Sequence, residues 1–448
     1  MKRVLLISPP VRNQNKVDLI PYGLLSIGGF LRKYGYEVRV YNSAFPYSTP
    51  YQVKIERTNQ VIKDFVPDFI GLGFPTDGLE SAVTIAKNAK KINQDIIIII
   101  GGIHPTAQPI ETLAIPYFDY LVSGEGEITA KELLDALIAN KNTGLVKGIA
   151  YKSEGRIISN EPRTEILNLD EIPFANRDLL IDLEKYPKSA LGQIHTSRGC
   201  PYQCAYCSSA IIWKKKVRFR SVANVLQEID YLYNQYQVRK FNFADDNFLL
   251  EPERVRMICQ ELIKRRYQIQ WRCCARADIH HNFNLDLLRL IRKSGGREIC
   301  IGFESGSQFI LDAVSRQVKL SETETFLKLM KDAKIKLHAD FIIGLPGENK
   351  ETLDKTFQLM KKVWQICQPM MSLALFKPYP GTTAYQQKEA INYSHLTSEF
   401  KNLFAFAESC NIKRLAHSPS YVSQKLLKNL TSPKKIWQLI AKGIRAWI

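Results

Sequence analysis

The 448-residue sequence has 62 Lys and Arg against 44 Asp and Glu, a formal net charge of +18, and 45% hydrophobic residues. This composition is typical of a globular protein of two or three domains and excludes a disordered or collagen-like chain. No apolar run approaches the roughly 18 residues of a membrane span or suggests a signal peptide, so we expect a cytoplasmic protein whose nine cysteines are thiols or metal ligands.

Residues 1–142 alternate strand and helix patterns, which predicts parallel β-α-β units in an α/β, doubly wound, Rossmann-like sheet. The predicted strands are 2–7, 37–41, 69–74, 95–100 and 120–122, and the predicted helices are 22–33, 81–92 and 128–139. Ligands bind beyond the carboxyl ends of such strands, where this sequence places many glycines. We therefore expect a ligand with phosphate or amide groups at that edge.

Residues 143–190 read as a hairpin, 143–164, followed by a linker. A second β/α series over 191–385 predicts a partial (β/α)6 barrel, since six strands fall short of the eight of a closed barrel. Its predicted strands are 193–198, 240–244, 268–276, 298–303, 336–343 and 370–376. Residues 386–448 form a basic region in which Ser432 and Pro433 are suited to begin an amphipathic helix.

The sequence SRGCPYQCAYCSS, residues 197–209, places Cys200, Cys204 and Cys207 at the end of the first of these strands. Three cysteines make a poor structural zinc site, which nearly always has four protein ligands, but suit a 4Fe–4S cluster with one open iron. The motif resembles that of the radical S-adenosylmethionine (SAM) superfamily, in which SAM chelates the open iron. The resemblance implies that these three cysteines are the catalytic cluster ligands. It also implies SAM contacts from other strand ends: Tyr206, Asp245, Asp246, Glu304, Arg316, Gly344, Leu345 and Pro346, with Arg276 and Asp278 as weaker candidates.

The order of doubly wound domain, linker and barrel resembles the cobalamin-binding branch of that superfamily. The implied cobalamin contacts are Pro9, Pro10, Gly23, Thr76, Gly101, Gly102, His104, Gly124, Glu125 and Gly126. The loop from Pro9 to Pro21 contains no histidine, so cobalt would lack a lower ligand from that loop, and a domain that no longer binds cobalamin stays open as an alternative. A methylthiotransferase is disfavoured, because it needs three cysteines before the barrel and this chain has none before Cys200.

The resemblance implies a 5′-deoxyadenosyl radical and, as first choice, methylation of an unactivated carbon of a lipid-like or other secondary-metabolite substrate. Cyclisation or oxidation of a porphyrin-like or lipid substrate is the alternative, and a non-catalytic cobalamin or iron–sulfur sensor that binds nucleic acid is a further, disfavoured one. We expect an external reductant of the flavodoxin or ferredoxin type. The basic helix expected at 432–448 either docks on the open side of the barrel or makes peripheral contact with anionic lipid.

Overall fold

The structure is a computed structural model that describes residues 2–11, 19–278 and 283–387, together with the strand Arg414–Ala416. The strands of the first half are β1 Arg3–Ser8, β2 Glu37–Asn42, β3 Phe69–Gly73, β4 Ile97–Gly101, β5 Tyr120–Val122, β6 Ile149–Ser153 and β7 Arg156–Ser159. The helices of that half are α1 Tyr22–Lys33, α2 Tyr51–Phe65, α3 Leu79–Ile92, α4 Ile103–Ala107, α5 Pro109–Leu113 and α6 Gly126–Ile138.

The strands of the second half are β8 Gln193–Ile194, β9 Ser197–Arg198, β10 Arg218–Phe219, β11 Lys240–Phe243, β12 Gln270–Arg276, β13 Gly296–Glu304, β14 Lys336–Ile343, β15 Met370–Leu375 and β16 Arg414–Ala416. Its helices are α7 Lys188–Leu191, α8 Ser209–Trp213, α9 Val222–Gln235, α10 Pro252–Lys264, α11 Leu285–Lys293, α12 Gln308–Ala313, α13 Thr323–Asp332, α14 Lys350–Cys367 and α15 Thr383–Gln386.

The first sheet has the order β2-β1-β3-β4-β5-β6-β7, in which β1 to β5 are parallel and the β6–β7 hairpin adds antiparallel at one edge. Its strands are continuous apolar runs because helices cover both faces. In β1, Leu5 and Ile7 pack with α2 and α3, whereas Val4 and Leu6 pack with α1 and α6. This three-layer arrangement has its topological switch point between β1 and β3, where a ligand of such a sheet binds.

The second sheet is the predicted partial barrel, with the order β16-β15-β14-β13-β12-β11-β8 and parallel pairing throughout. Side chains alternate along each strand. In β12, Trp271 and Cys273 are buried against the outer helices, whereas Arg272 and Cys274 lie on the opposite, more exposed lumen face. The carboxyl ends of these strands form the rim of the lumen.

Three features differ from the sequence predictions. The strand expected at 193–198 is broken, because β9 leaves the barrel sheet and pairs antiparallel with β10. A helix at Tyr51–Phe65 was not predicted. Within the region expected to be helical, 386–448, Arg414–Ala416 is a strand that pairs with β15. The amphipathic helix expected at 432–448 lies outside the described residues.

The segment between the two sheets is closely packed. It contains short 3-10 turns at Leu169–Glu171, Arg177–Leu179 and Leu183–Lys185. The guanidinium of Arg177 is fully buried and donates to Glu228 on α9 at 2.7 Å, and Arg220 donates to the other carboxylate oxygen of Glu228 at 2.5 Å. Glu228 thus balances two buried cations and fixes the linker to the start of the barrel.

Candidate functional site: a three-cysteine loop between two sheets

The three-cysteine loop begins with a backbone that only glycine fits well. Gly199 has φ +97°, and a Cβ atom there would lie 1.9 Å from the carbonyl oxygen of Lys216. The amide of Cys207 then donates to the carbonyl of Cys204 at 3.0 Å, which closes a tight turn. This geometry places the three thiols in one loop, and none of them forms a disulfide within the described residues.

Backbone hydrogen bonds anchor the loop to two other segments of the rim. The amide of Ala205 donates to the carbonyl of Val314 at 2.9 Å, and the carbonyl of Ala205 accepts from the amide of Ala384 at 2.9 Å. Ala205 and Tyr206 pack on an apolar cluster that includes Leu345 and Phe376. The loop is therefore held by residues that follow β13, β14 and β15, far away in sequence.

Two guanidiniums lie against one thiol. Arg316 Nη1 and Arg276 Nη1 donate to Cys204 Sγ at 3.6 and 3.7 Å. The Arg276 guanidinium also stacks on the ring of Tyr202, 3.5 Å from its centroid, and donates to the carbonyl of Arg316 at 2.5 Å. Such cations stabilise an anionic thiolate or its iron complex. Arg276, which the sequence ranked as a weaker candidate, is thus brought to the cysteines together with Arg316.

The pKa values of the other two cysteines, Cys200 and Cys207, show that iron must displace a proton when it binds to them. Burial raises the pKa of Cys200, and burial raises the pKa of Cys207 to about 11. At neutral pH these side chains are thiols in the free chain, and the metal replaces the proton as it binds. Three thiols in one loop with two cations beside them fit a cluster that carries one iron without a protein ligand.

Glu304 ends β13 in a strained conformation, with φ +64°, at an irregularity in its pairing with β14. Its carboxylate lies 3.6 Å from Arg316 Nη2 and folds over Gly302, where a Cβ would come within 2.2 Å of it. Burial raises the pKa of Glu304, although Arg316 opposes the shift. Strain of this kind is concentrated at binding sites, where a ligand compensates for it.

Nε of Arg316 is buried beside the cysteines and lacks a hydrogen-bond partner in the part of the chain that the structure describes. The hydroxyl of Tyr206 faces the carboxylate of Glu304, and burial raises the pKa of Tyr206. Gly344 turns at φ +80°, its amide donates to Glu348 at 2.6 Å, and Leu345 packs in the same apolar cluster as Tyr206. A buried guanidinium nitrogen without a partner at the end of a barrel is suited to a polar ligand, so Arg316 fits SAM.

The two adjacent carboxylates after β11 have separate roles. Asp245 accepts from the amide and the hydroxyl of Thr196, both at 2.5 Å, and from the amide of Ser197 at 3.2 Å. Its oxygens therefore already accept three hydrogen bonds that bend the chain between β8 and β9, and a SAM contact from Asp245 stays a prediction. Asp246 is exposed next to the cysteine loop and accepts from Ser209 Oγ at 2.7 Å.

The carboxyl edge of the first sheet is open where a flat cofactor would lie. A Cβ at Gly23 or Gly124 would meet no described atom within 4 Å. By contrast, Gly101 and Gly102 are required for packing, because a Cβ would lie 3.2 Å from the carbonyl of Val122 or 3.1 Å from the backbone of Phe74. Pro9 and Pro10 line the same edge and are buried. This open, glycine-rich edge at the switch point fits cobalamin.

His104 makes a local contact at that edge. Its Nδ1 is 3.2 Å from the hydroxyl of Thr76, and burial lowers its pKa. It is 7% exposed, and its position after β4 agrees with a loop contact. Thr76 and His104 thus support each other between the ends of β3 and β4.

Glu125 forms ion pairs within the chain, and its contact with cobalamin stays a prediction. Its two oxygens accept from Arg198 and Arg218, both at 2.6 Å, and Arg198 also donates to Glu127 at 2.5 Å. Burial raises the pKa of Glu127, but Arg198 outweighs burial and lowers it overall. Gly126, the first residue of α6, would place a Cβ 2.6 Å from Ile27, so its role is in packing. This acidic pair joins the first domain to the strand that precedes the cysteines.

The two candidate cofactor sites are brought face to face. Helix α8, which follows the cysteines, contacts α4 of the first sheet. A Cβ at Gly381 would lie 2.9 Å from Ile211 of α8 and 3.0 Å from Ala107 of α4. Lys377, after β15, forms an ion pair with Asp77, after β3. The open edge of the first sheet and the rim of the barrel therefore lie next to each other.

A polar ladder crosses the lumen face below the cysteines. Arg272 Nε donates to Asn242 at 3.2 Å, and Arg272 Nη1 lies 3.8 Å from Glu298. On the next strand, His338 Nε2 is 2.7 Å from Ser372 Oγ. The sequence did not single out these residues, although their alternation with buried apolar residues was the signal that could have found them.

Comparisons with known proteins agree with this geometry. The model of the Radical SAM superfamily matches residues 194–360, and that of the B12 binding domain matches residues 10–134. An uncharacterised methyltransferase of Pyrococcus horikoshii is 31% identical over 435 residues, which cover 95% of this chain and 91% of that protein. The anaerobic magnesium-protoporphyrin IX monomethyl ester cyclase of Rubrivivax gelatinosus is 30% identical over 380 residues, 82% of this chain and 66% of that one.

A solved structure is similar over the same span. It is that of TsrM, a radical SAM methyltransferase from Kitasatospora setae, with cobalamin and an iron–sulfur cluster bound. The TM-score is 0.69 at 18% identity, and the match covers 86% of this chain and 74% of that one. At this identity the likeness concerns the fold.

Proposed function

The chain belongs to the radical SAM enzymes that carry a B12-binding domain, and on this premise we propose that it methylates a carbon atom of a polar small molecule held in the barrel lumen. The family matches confirm the predicted fold class, the enzyme class and the three cofactors: a 4Fe–4S cluster, SAM and cobalamin. The observation that carries the proposal is the three-cysteine loop, which lies where the rim of the lumen meets the open edge of the first sheet.

When bound, the cluster supplies the electron that cleaves SAM, and cobalamin supplies the methyl group. Cys200, Cys204 and Cys207 hold the cluster, and Arg276 and Arg316 balance its negative charge through their contacts with Cys204. The residues that we propose to hold SAM are Tyr206, Asp246, Glu304, Arg316 and the turn Gly344, Leu345, Pro346.

For cobalamin we propose contacts from the open edge of the first sheet. The backbone at Gly23 and Gly124 leaves room for the cofactor, Pro9 and Pro10 line the same edge, and Thr76 and His104 form a polar pair there. Gly101 and Gly102 shape the edge by allowing its strands and loops to approach closely. We also propose that the domain boundaries lie after residues 142, 190 and 385.

The lumen favours a polar substrate. Its floor is formed by Arg272, Glu298, His338 and Asp340, with Asn242 and Ser372 at its sides. Covering these charged groups with a hydrocarbon would remove the water that solvates them, which costs free energy. A lipid-like substrate would therefore have to place a polar group, rather than its chain, in the lumen.

A ring-forming oxidation is the second candidate. It is supported by the cyclase of Rubrivivax gelatinosus, which is nearly as similar to this chain as the methyltransferase of Pyrococcus horikoshii. The difference between these outcomes is measurable, because methyl transfer consumes one SAM as methyl donor and another as radical source, whereas cyclisation consumes only the second.

The test is anaerobic reconstitution of the full chain with iron, sulfide, cobalamin and a low-potential reductant, followed by analysis of SAM products. We expect both 5′-deoxyadenosine and S-adenosylhomocysteine, and neither after Cys204→Ser. Cys367→Ser is the matched control, because this partly buried thiol lies on α14 and donates to the carbonyl of Leu327. Deoxyadenosine alone would select the cyclase reaction. The absence of both products from a cluster-loaded preparation would refute an enzymatic role and favour a sensor.

The electron donor that we propose is a flavodoxin or ferredoxin, since cleavage of SAM needs a low-potential electron. Within the described residues no helix is long and apolar enough to cross a membrane. The proposed lipid contact of 432–448 is tested by flotation with anionic vesicles. Deletion from Ser432 should weaken flotation, and unchanged flotation would refute the contact.

A further inference from the structure

Three potential metal ligands converge in the lumen, apart from the cysteine loop. Cys300 on β13 pairs in register with His338 on β14, and Asp340 lies two residues further along β14 on the same face. One ligand atom from each residue lies within 4.8 Å of the others. The register partner of Cys300 on β12 is Cys274, two residues before Arg276, so Cys300 and His338 lie about 7 Å below the level of Arg276 in the barrel, whereas Asp340 is level with it.

The separations are slightly shorter than those of ligands around one small cation. Cys300 Sγ is 2.8 Å from Asp340 Oδ2, and His338 Nε2 is 3.3 Å from Asp340 Oδ1. In a tetrahedral zinc site, bonds of about 2.0 to 2.3 Å place neighbouring ligand atoms about 3.6 Å apart. The three side chains need only small rotations to bind one ion, and they come from two adjacent, rigid strands.

A second group of contacts would orient the histidine. Glu298 Oε1 lies 3.9 Å from His338 Nδ1, on the side of the ring away from Asp340. A carboxylate behind the second ring nitrogen fixes the tautomer of a metal-bound histidine. Burial lowers the pKa of His338, but Asp340 and Glu298 outweigh burial and raise it to about 9. In the absence of metal the same residues form a charged network.

We propose that Cys300, His338 and Asp340 bind a thiophilic divalent cation, such as Zn²⁺, on the floor of the lumen. Three protein ligands leave a fourth position, for which the thiol of Cys274, hydrogen-bonded to Cys300, and a substrate oxygen or nitrogen would compete. The ion would anchor the polar end of a substrate below the cysteine loop. The binding site itself does not depend on which reaction the enzyme performs.

The competing arrangement is a metal-free network in which protonated His338 pairs with Asp340 and Glu298. The two arrangements differ in a direct spectroscopic readout, because a thiolate bound to Co²⁺ gives an intense charge-transfer band and tetrahedral Co²⁺ gives visible bands. To remove iron binding at the loop, the titration uses the full chain with Cys200→Ser, Cys204→Ser and Cys207→Ser.

We expect one Co²⁺ per chain with a thiolate band that Zn²⁺ abolishes. Adding Cys300→Ser should remove the band, and Glu298→Gln should weaken binding about 10- to 100-fold. Cys367→Ser is the control and should leave the spectrum unchanged. As a second measurement, anaerobically purified chain with intact cysteines should contain zinc that Cys300→Ser removes while iron loading stays unchanged. A spectrum without tetrahedral bands, or a band that persists after Cys300→Ser, would overturn the proposal whatever the enzyme's products are.

Discussion

Replacing Gly199 by alanine should prevent the cysteine loop from holding its cluster. The new Cβ would lie 1.9 Å from the carbonyl oxygen of Lys216, whereas real contacts of this kind essentially never fall below 3.0 Å, so the two segments must part by about 1.1 Å. Metal–ligand distances are defined to within about 0.2 Å, and Cys200 is the next residue. In addition, an L-residue at φ +97° costs about 1 to 3 kcal/mol, equivalent to about 5- to 150-fold in occupancy.

The assay is iron and sulfide per chain after anaerobic reconstitution of Gly199→Ala, together with the visible absorption of the cluster. We expect both to fall to a small fraction of the wild-type values. Gly155→Ala is the matched control, since Gly155 also has positive φ, +73°, but a Cβ there meets no described atom within 4 Å. Equal iron loading of Gly199→Ala and Gly155→Ala would show that the close approach to Lys216 does not determine the loop.

Two further predictions concern stability. Glu228→Gln should lower the free energy of unfolding by about 3 to 5 kcal/mol, because Arg177 and Arg220 would remain buried without an anion. Urea midpoints of the chain without cofactors measure this loss. The exposed Glu351→Gln is the control and should leave the midpoint unchanged. Equal midpoints for Glu228→Gln and the unchanged chain would contradict the prediction. Burial lowers the pKa of His195 to about 4, so the unfolded chain takes up this proton near pH 6.5 and the folded chain only near pH 4. Stability should therefore fall as the pH decreases from 6.5 to 4, and His195→Gln should flatten this decline, whereas parallel curves would refute the assignment.

Much of the fold could be predicted, because buried parallel strands are continuous apolar runs between helices. The run from Ile96 to Ile100 is of this kind, and five of the six predicted barrel strands were also found, whereas the first is broken between β8 and β9. Helix α2 escaped prediction because its buried stripe includes Lys54 and Thr58 besides Ile55 and Ile62. The break between β8 and β9 was also invisible, since its cause is Asp245, about 50 residues away in the sequence.

The cysteine ligands could be predicted because their spacing is local. A carboxylate is harder to assign, because its role depends on which cation reaches it in the folded chain. Asp245 and Glu125 both follow strand ends, where ligands bind. In the structure, however, Asp245 accepts hydrogen bonds from Thr196, and Glu125 forms ion pairs with Arg198 and Arg218. Arg276 shows the opposite case: its contact with Cys204 depends on the register of the barrel, which the sequence does not specify.

The acidic pair Glu125 and Glu127 limits how this protein can be divided or recombined. Arg198 and Arg218 belong to the barrel half of the chain, but their carboxylate partners belong to the first half. A barrel expressed alone would begin its cysteine loop with two cations that have lost these partners. A chimera that exchanges the first domain for that of a relative must therefore supply matching acids after its fifth strand. The two domains are consecutive in the sequence, but these ion pairs prevent them from being exchanged independently.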